Sequence, residues 1–185
     1  MNRTADVVIV GAGVIGSATA FELAKRGYKT LNIDKLPASG YGSTSNSCAI
    51  VRAHYSTWDG VAMAYEGFFY WADWNKYLEV EDERGMAKYM KTGSIMFMLK
   101  GADHSKKSLN LFKEIGNEHE IWDLETLKKK MPIYSHDSFN GTSRPDEDDS
   151  FFDKSGDQIE GAIWTPGSGY VCLLYTSDAA DEGLG

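Results

Sequence analysis

Three glycines and one acid, at fixed spacing, are the first residues of this chain that could do chemistry. Gly11, Gly13 and Gly16 make a G-x-G-x-x-G pattern, and Asp34 follows downstream. Glycine at the first position allows a tight turn. At the second it removes the side chain that would block a pyrophosphate, and at the third it lets a helix pack close to a strand. A carboxylate at this separation can accept hydrogen bonds from ribose hydroxyls. An acid in place of Arg disfavours a 2′-phosphate, and so disfavours NADP. The pattern points to a dinucleotide and leaves FAD and NAD both open. A plain strand-to-helix turn with coincidental glycines is the alternative.

The pattern has this meaning only if the flanking elements position it. Residues 7–10 are a β-branched run and predict a buried parallel strand. Residues 17–26 hold good helix formers, and Gly27 is placed to end that helix. Residues 28–33 predict a second strand ending at Asp34. The intervening helix would aim free N–H groups and its positive dipole end at phosphates. Every required element is present and in order.

A loop rich in Gly, Ser and Pro covers residues 35–47. Such loops supply backbone N–H and hydroxyl donors to anionic ligands. Residues 48–55 then form a mostly apolar piece carrying Arg52 and His54.

Together, residues 6–55 resemble the N-terminus of the D-amino-acid-oxidase-like FAD oxidoreductases, a superfamily that includes sarcosine, glycine and dimethylglycine oxidising flavoenzymes. The shared features are the glycine turn, the acid ending the second strand, the Ser/Gly/Asn loop and an Arg soon after it. The resemblance implies FAD as cofactor, ahead of NAD. It implies that Gly11, Gly13, Ile15 and Gly16 line the pyrophosphate. Asp34 would hold the adenosine ribose, with Lys35 beside the adenine. Ser43, Thr44, Ser45 and Asn46 would contact the pyrophosphate and the isoalloxazine edge. Arg52 would pair with a substrate carboxylate, for which a guanidinium fork is suited. A structural ion pair is the alternative role for Arg52. His54 is a further candidate for substrate contact, with a satisfied core histidine as its alternative. Some relatives link flavin covalently to a His in the loop, but residues 42–47 contain none.

The fold implied is α/β: a Rossmann-like FAD-binding domain over residues 1–90, then the beginning of an α+β substrate domain over 91–171, both truncated. The activity implied is oxidation of the C–N bond of an amino acid or N-methyl amine such as sarcosine, glycine or dimethylglycine. A hydride equivalent would pass to flavin, and oxygen or another electron acceptor would reoxidise it. Related flavoenzymes also take hydroxyl substrates. An NAD-linked dehydrogenase and an inactive nucleotide-binding fragment are the competing readings.

Further along, residues 57–81 carry apolar and aromatic residues at helical spacing and predict one long helix, opened by a capping box at residues 56–59. The aromatic stripe reads as core packing. A strand is expected at 92–99, a helix at 105–115, and a short helix at 124–130 capped by Asp123. Residues 161–171 resemble a strand and turn of the same superfamily. Six acids between 146 and 157 lack the spacing of a calcium loop, so an acidic surface loop is expected and no metal.

Composition narrows the remaining classes. The chain has 185 residues, 42% hydrophobic and 25% charged, which excludes a fibrous or disordered chain. A net charge of −8 without a basic stripe argues against nucleic acid and against an anionic membrane surface. No apolar run has the length of a membrane span, and the N-terminus does not read as a signal peptide. Two cysteines make no disulfide framework and fit a reducing cytoplasmic setting. The last residues break the pattern. Residues 172–182 have no amphipathic logic, yet one frame of a transposase mosaic end and read primer of a sequencing library would encode them. Residues 172–185 are therefore expected to be translated adaptor, which would make the chain an N-terminal fragment. An unusual native C-terminus is the alternative.

Overall fold

β1 (Val7–Val10) and β2 (Thr30–Ile33) pair in parallel, from Val7 opposite Thr30 to Val10 opposite Ile33. The connection between them is α1 (Val14–Lys25). This is the strand–turn–helix–strand order that the sequence predicts. In this computed structural model the described residues are 4–172, apart from 82, 84, 140–143, 145, 148, 151 and 157–158. The expected adaptor segment lies outside them except for Cys172.

Local chemistry explains both ends of α1. It begins at Val14, three residues before the predicted start, because the glycine turn runs straight into it with Gly13 as N-cap. At its far end Gly27 takes φ +86. The Gly27 N–H donates to the Ala24 carbonyl and the Tyr28 N–H to the Leu23 carbonyl. This 6→1 and 5→2 pair satisfies carbonyls that the helix end would leave bare. Asp6 ties the start of both strands, its Oδ2 accepting from the Lys29 N–H at 2.7 Å. One expectation changes here. The apolar run of β1 predicts a strand buried on both faces, but Val8 and Val10 are exposed. A parallel strand is buried only when both faces are covered, and among the described residues this unit supplies one helix.

By its contacts the chain divides into two compact units, Met1–Cys48 and Ala49–Gly185. That division differs from the expected domain boundary at residue 90. The reason is strand pairing. β3 (Ile50–Val51) and β4 (Lys88–Met90) both pair antiparallel with β10 (Gly169–Cys172), on its two edges. Residues 50–90 are thereby knitted to the far end of the chain.

The second unit also contains a three-stranded antiparallel sheet. β5 (Ser94–Leu99) and β6 (Glu120–Asp123) flank β9 (Ile159–Thr165). A small hairpin pairs β7 (Ser138–Phe139) with β8 (Lys154–Gly156). α2 (Trp58–Ala72), α3 (Trp74–Leu78), α4 (His104–Ile115) and α5 (Leu124–Lys130) complete it. The predicted single helix over 57–81 is therefore two. Asp73 takes φ −133 and ψ 53, which breaks the helical path between Ala72 and Trp74. Aromatic periodicity runs through this break, so the pattern alone could not locate it. The aromatic stripe is only partly core: Phe68 is buried, whereas Trp58 and Phe69 are exposed. The cap of α2 is Thr57, whose side chain accepts from the Gly60 N–H. Asp123 caps α5 as expected, accepting from the Thr126 N–H at 2.8 Å.

Two clusters form the core of this unit. Ala53, Val61, Phe68, Phe112 and Ile163 make one; Trp122, Leu127, Ile159 and Ala162 make the other. The turn between β9 and β10 is held from below, because the Tyr89 hydroxyl donates to the Gly167 carbonyl. No helix among the described residues is long and apolar enough to cross a membrane.

Candidate functional site

The glycine turn is shaped by contacts that a side chain would destroy. Gly11 sits at φ +112, a conformation that L side chains rarely adopt. Its N–H donates to the Ile33 carbonyl at 2.7 Å. A Cβ on Gly16 would lie 2.1 Å from the Gly11 carbonyl oxygen. The third glycine is therefore required by backbone approach, as the pattern predicts.

Asp34 does more than wait at the end of β2. Its Oδ2 accepts from the Ala12 N–H at 2.7 Å and its Oδ1 from the Leu36 N–H at 2.9 Å. These backbone donors, Leu36 first and then Ala12, hold its carboxyl below the ordinary value of 3.8. Each oxygen keeps a further lone pair for a hydroxyl donor. A concavity of about 390 Å³ lies beside it, lined by Val10, Gly11, Ile33, Asp34 and Lys35. The lowered pKa has a pH consequence. The folded value is depressed, so the stabilising effect is present above the unfolded value and is lost as pH falls through the folded one. Thermal melts of wild type and Asp34→Asn should therefore differ near neutrality and converge as the pH drops below 3.8. Equal melting temperatures at neutral pH would remove Asp34 from the turn's support.

Thr44 reaches α1 from the loop. Its Oγ1 accepts from the Val14 N–H at 3.0 Å, capping a helix whose own N-cap, Gly13, has no side chain. The same oxygen lies 3.0 Å from where a Gly13 Cβ would stand. Ser45 and Asn46 are exposed, and each donates to the Gly42 carbonyl at 3.0 Å. Their observed role is to shape the loop. Ile15, Lys35 and Ser43 are exposed.

Sequence reasoning missed Asn32. Its Nδ2 donates to the carbonyls of both Gly11 and Gly16 at 3.2 Å, stapling the turn to β2. An amide interrupting the apolar run of β2 was the available signal.

Arg52 and His54 belong to the second unit. Arg52 is exposed. Its Nη1 donates to the His54 carbonyl at 3.1 Å, and its guanidinium carbon lies 5.9 Å from the centre of the Tyr55 ring. No carboxylate among the described residues forms an ion pair with it. His54 is 8% exposed, with Nε2 3.0 Å from the Thr165 hydroxyl. Burial first, then the charges of Arg52 and His104, push the imidazole down to about 4. It is neutral at physiological pH, in the satisfied core position that was the alternative to substrate contact.

The comparisons with known proteins agree with this architecture. The family model described as FAD dependent oxidoreductase matches residues 6–179. The monomeric sarcosine oxidase of Arthrobacter sp. (strain TE1826) is 28% identical over 152 residues, covering 81% of this chain and 36% of that protein. Among solved structures, L-proline dehydrogenase from P. horikoshii gives a TM-score of 0.69 at 20% identity, over 97% of this chain and 41% of that one. Glycine oxidase from Geobacillus kaustophilus gives 0.64 at 22% identity, over 95% and 42%. The two structural likenesses speak for the fold. The chain spans between a third and a half of the length of these three proteins. With the match covering almost the whole chain, the protein belongs to the family of FAD-dependent oxidoreductases, and FAD is the cofactor of that family.

Proposed function

We propose that the protein oxidises the C–N bond of a small amino acid or N-methyl amino acid, with sarcosine, glycine and dimethylglycine as the leading substrates. The observation that carries this reading is Arg52. Its guanidinium is exposed, anchored through Nη1 to one carbonyl, and free of any carboxylate partner among the described residues. A guanidinium fork held in this way still has donors for a carboxylate.

The residues of the first unit fit FAD. Glycine at position 13 leaves open the space that a Cβ would fill beside Thr44. The first turn of α1, including Ile15 and Gly16, has N–H groups without intrahelical acceptors. Thr44 accepts from Val14 and so keeps its hydroxyl hydrogen for a phosphate oxygen. Asp34 would take the ribose hydroxyls, and Lys35 would flank the adenine. Ser43, Ser45 and Asn46 would complete the loop toward the isoalloxazine edge. When bound, FAD would accept the hydride equivalent, and the substrate would leave as an imine for water to hydrolyse. Arg52 would hold the carboxylate so that the hydrogen to be lost is directed consistently. Oxygen or another acceptor would close the cycle. Exposed, free Cys48 is compatible with a cytoplasmic setting.

The test is a substrate comparison on the protein expressed from its full reading frame. Sarcosine should turn over, whereas dimethylamine, which keeps an N-methyl C–N bond but has no carboxylate, should give at least about a hundredfold lower kcat/KM, as loss of a charge-assisted pair implies. Equal turnover of the two would contradict the proposal. A colourless protein reducing NAD instead would favour the NAD-linked alternative.

A further inference from the structure

A buried group of hydroxyls surrounds the His54 imidazole and has no part in the function proposed above. His54 Nε2 lies 3.0 Å from Thr165 Oγ1 and 3.3 Å from Ser94 Oγ. Ser94 Oγ lies 3.0 Å from Thr165 Oγ1, which in turn lies 2.9 Å from Ser168 Oγ. Thr165 and Ser168 are fully buried. These residues come from β5, from the end of β9 and from the turn after it. On another side of the imidazole the Phe112 ring packs at 5.8 Å between centroids. So costly a set of buried polar groups persists only when each member is satisfied.

The backbone around His54 is fixed as closely as its ring. The Tyr55 N–H donates to the Ala53 carbonyl at 2.9 Å, making a tight turn centred on His54. The Ser108 hydroxyl, from α4, donates to the Tyr55 carbonyl at 3.2 Å. Ala53 is fully buried. The carbonyl of His54 itself, in the same turn, accepts from Arg52 Nη1.

We infer that His54 is a positioning residue: its ring, locked among Ser94, Thr165 and Ser168, fixes the carbonyl that aims the Arg52 guanidinium at the substrate carboxylate. This rests on the reading of Arg52 as the carboxylate anchor. A neutral imidazole suits the task, since a cation here would repel the guanidinium it has to hold. Burial favours the same neutral form. The hydroxyls also explain why the position requires more than a hydrophobic ring. A phenyl group would fill the space against Phe112 but leave Thr165 and Ser94 without their nitrogen partner.

A double-mutant cycle on the flavin-loaded full-length protein tests this, with KM for sarcosine as the readout. His54→Phe should raise KM roughly five- to tenfold, the value of about one hydrogen bond, with kcat within about twofold. Thr165→Val, which removes one hydroxyl at constant shape, should do the same. His54→Gln, which can return a nitrogen to these hydroxyls, should restore most of the loss. In an Arg52→Ala background, His54→Phe should have no further effect on KM. A merely structural role would lower the melting temperature and leave effects that add to those of Arg52→Ala. If Arg52→Ala changes KM but neither His54→Phe nor Thr165→Val does, the positioning role is wrong and the anchor reading survives. If Arg52→Ala leaves KM unchanged, both are wrong.

Discussion

Gly16→Ala should yield a protein that no longer retains FAD. The new Cβ would stand 2.1 Å from the Gly11 carbonyl oxygen, which is backbone and cannot rotate away. That carbonyl also accepts from Asn32 Nδ2, so moving it breaks the staple between turn and strand. Overpacking of this kind costs about 1–3 kcal/mol, and losing the staple about one more. The sum is large against a stability of about 5–15 kcal/mol. Purified variant should carry roughly a tenth or less of the wild-type flavin, a loss of about 1.4 kcal/mol or more in binding. Gly13→Ala is the informative contrast. Its Cβ would meet Thr44 Oγ1 at 3.0 Å, a side chain that can turn aside. The fold should tolerate that substitution while FAD affinity falls. Wild-type flavin content in Gly16→Ala would show that the turn does not cradle the cofactor.

Arg52→Ala carries the second large effect. A charge-assisted pair with a substrate carboxylate is worth about 2–4 kcal/mol once water is excluded, so kcat/KM for sarcosine should fall roughly 30- to 1,000-fold. Arg52→Lys should recover only part of this. An ammonium is a point charge and cannot present the two parallel donors of the guanidinium fork. The substitution should leave flavin content and melting temperature near wild type, because Arg52 is exposed and makes a single hydrogen bond. Unaltered kcat/KM would assign Arg52 to the surface. Steady-state kinetics on matched flavin-loaded preparations decide the question.

The parts of this molecule that were legible in its sequence are those that local rules control. β1, α1, β2 and the Gly27 stop follow from β-branched runs, helix formers and one glycine, each acting within a few residues. The cap at Asp123 is local in the same sense. The strands β3 and β10 were not legible as partners. β3 has two residues and finds its partner near the far end of the described chain, a pairing that no period within either segment encodes. The break at Asp73 was hidden because the aromatic pattern continues across it.

The candidate site divides along the same line. The glycine turn and Asp34 could be named from spacing, since the requirement for small residues and an acid is stereochemical. What Asp34 and Thr44 do inside the turn could not, since each closes a hydrogen bond over more than twenty residues. Asn32 was missed, because its two acceptor carbonyls converge only once the turn is formed. Arg52 could be singled out by likeness to relatives. The carbonyl that holds it belongs to His54, close by in the chain, but the hydroxyls behind His54 come from β5, β9 and a turn distant in sequence. Ser45 and Asn46 also brace the Gly42 carbonyl, bonds that their place in a polar loop did not reveal.

The most direct measurement is an anaerobic titration of the protein, purified from its full reading frame, with sarcosine, followed at the flavin absorbance near roughly 450 nm. The account predicts a yellow protein whose absorbance bleaches on addition of sarcosine and does not bleach with dimethylamine. A yellow protein that no small amino acid or N-methyl amino acid can bleach would contradict the proposed reaction, and a protein that purifies without flavin would contradict the site itself.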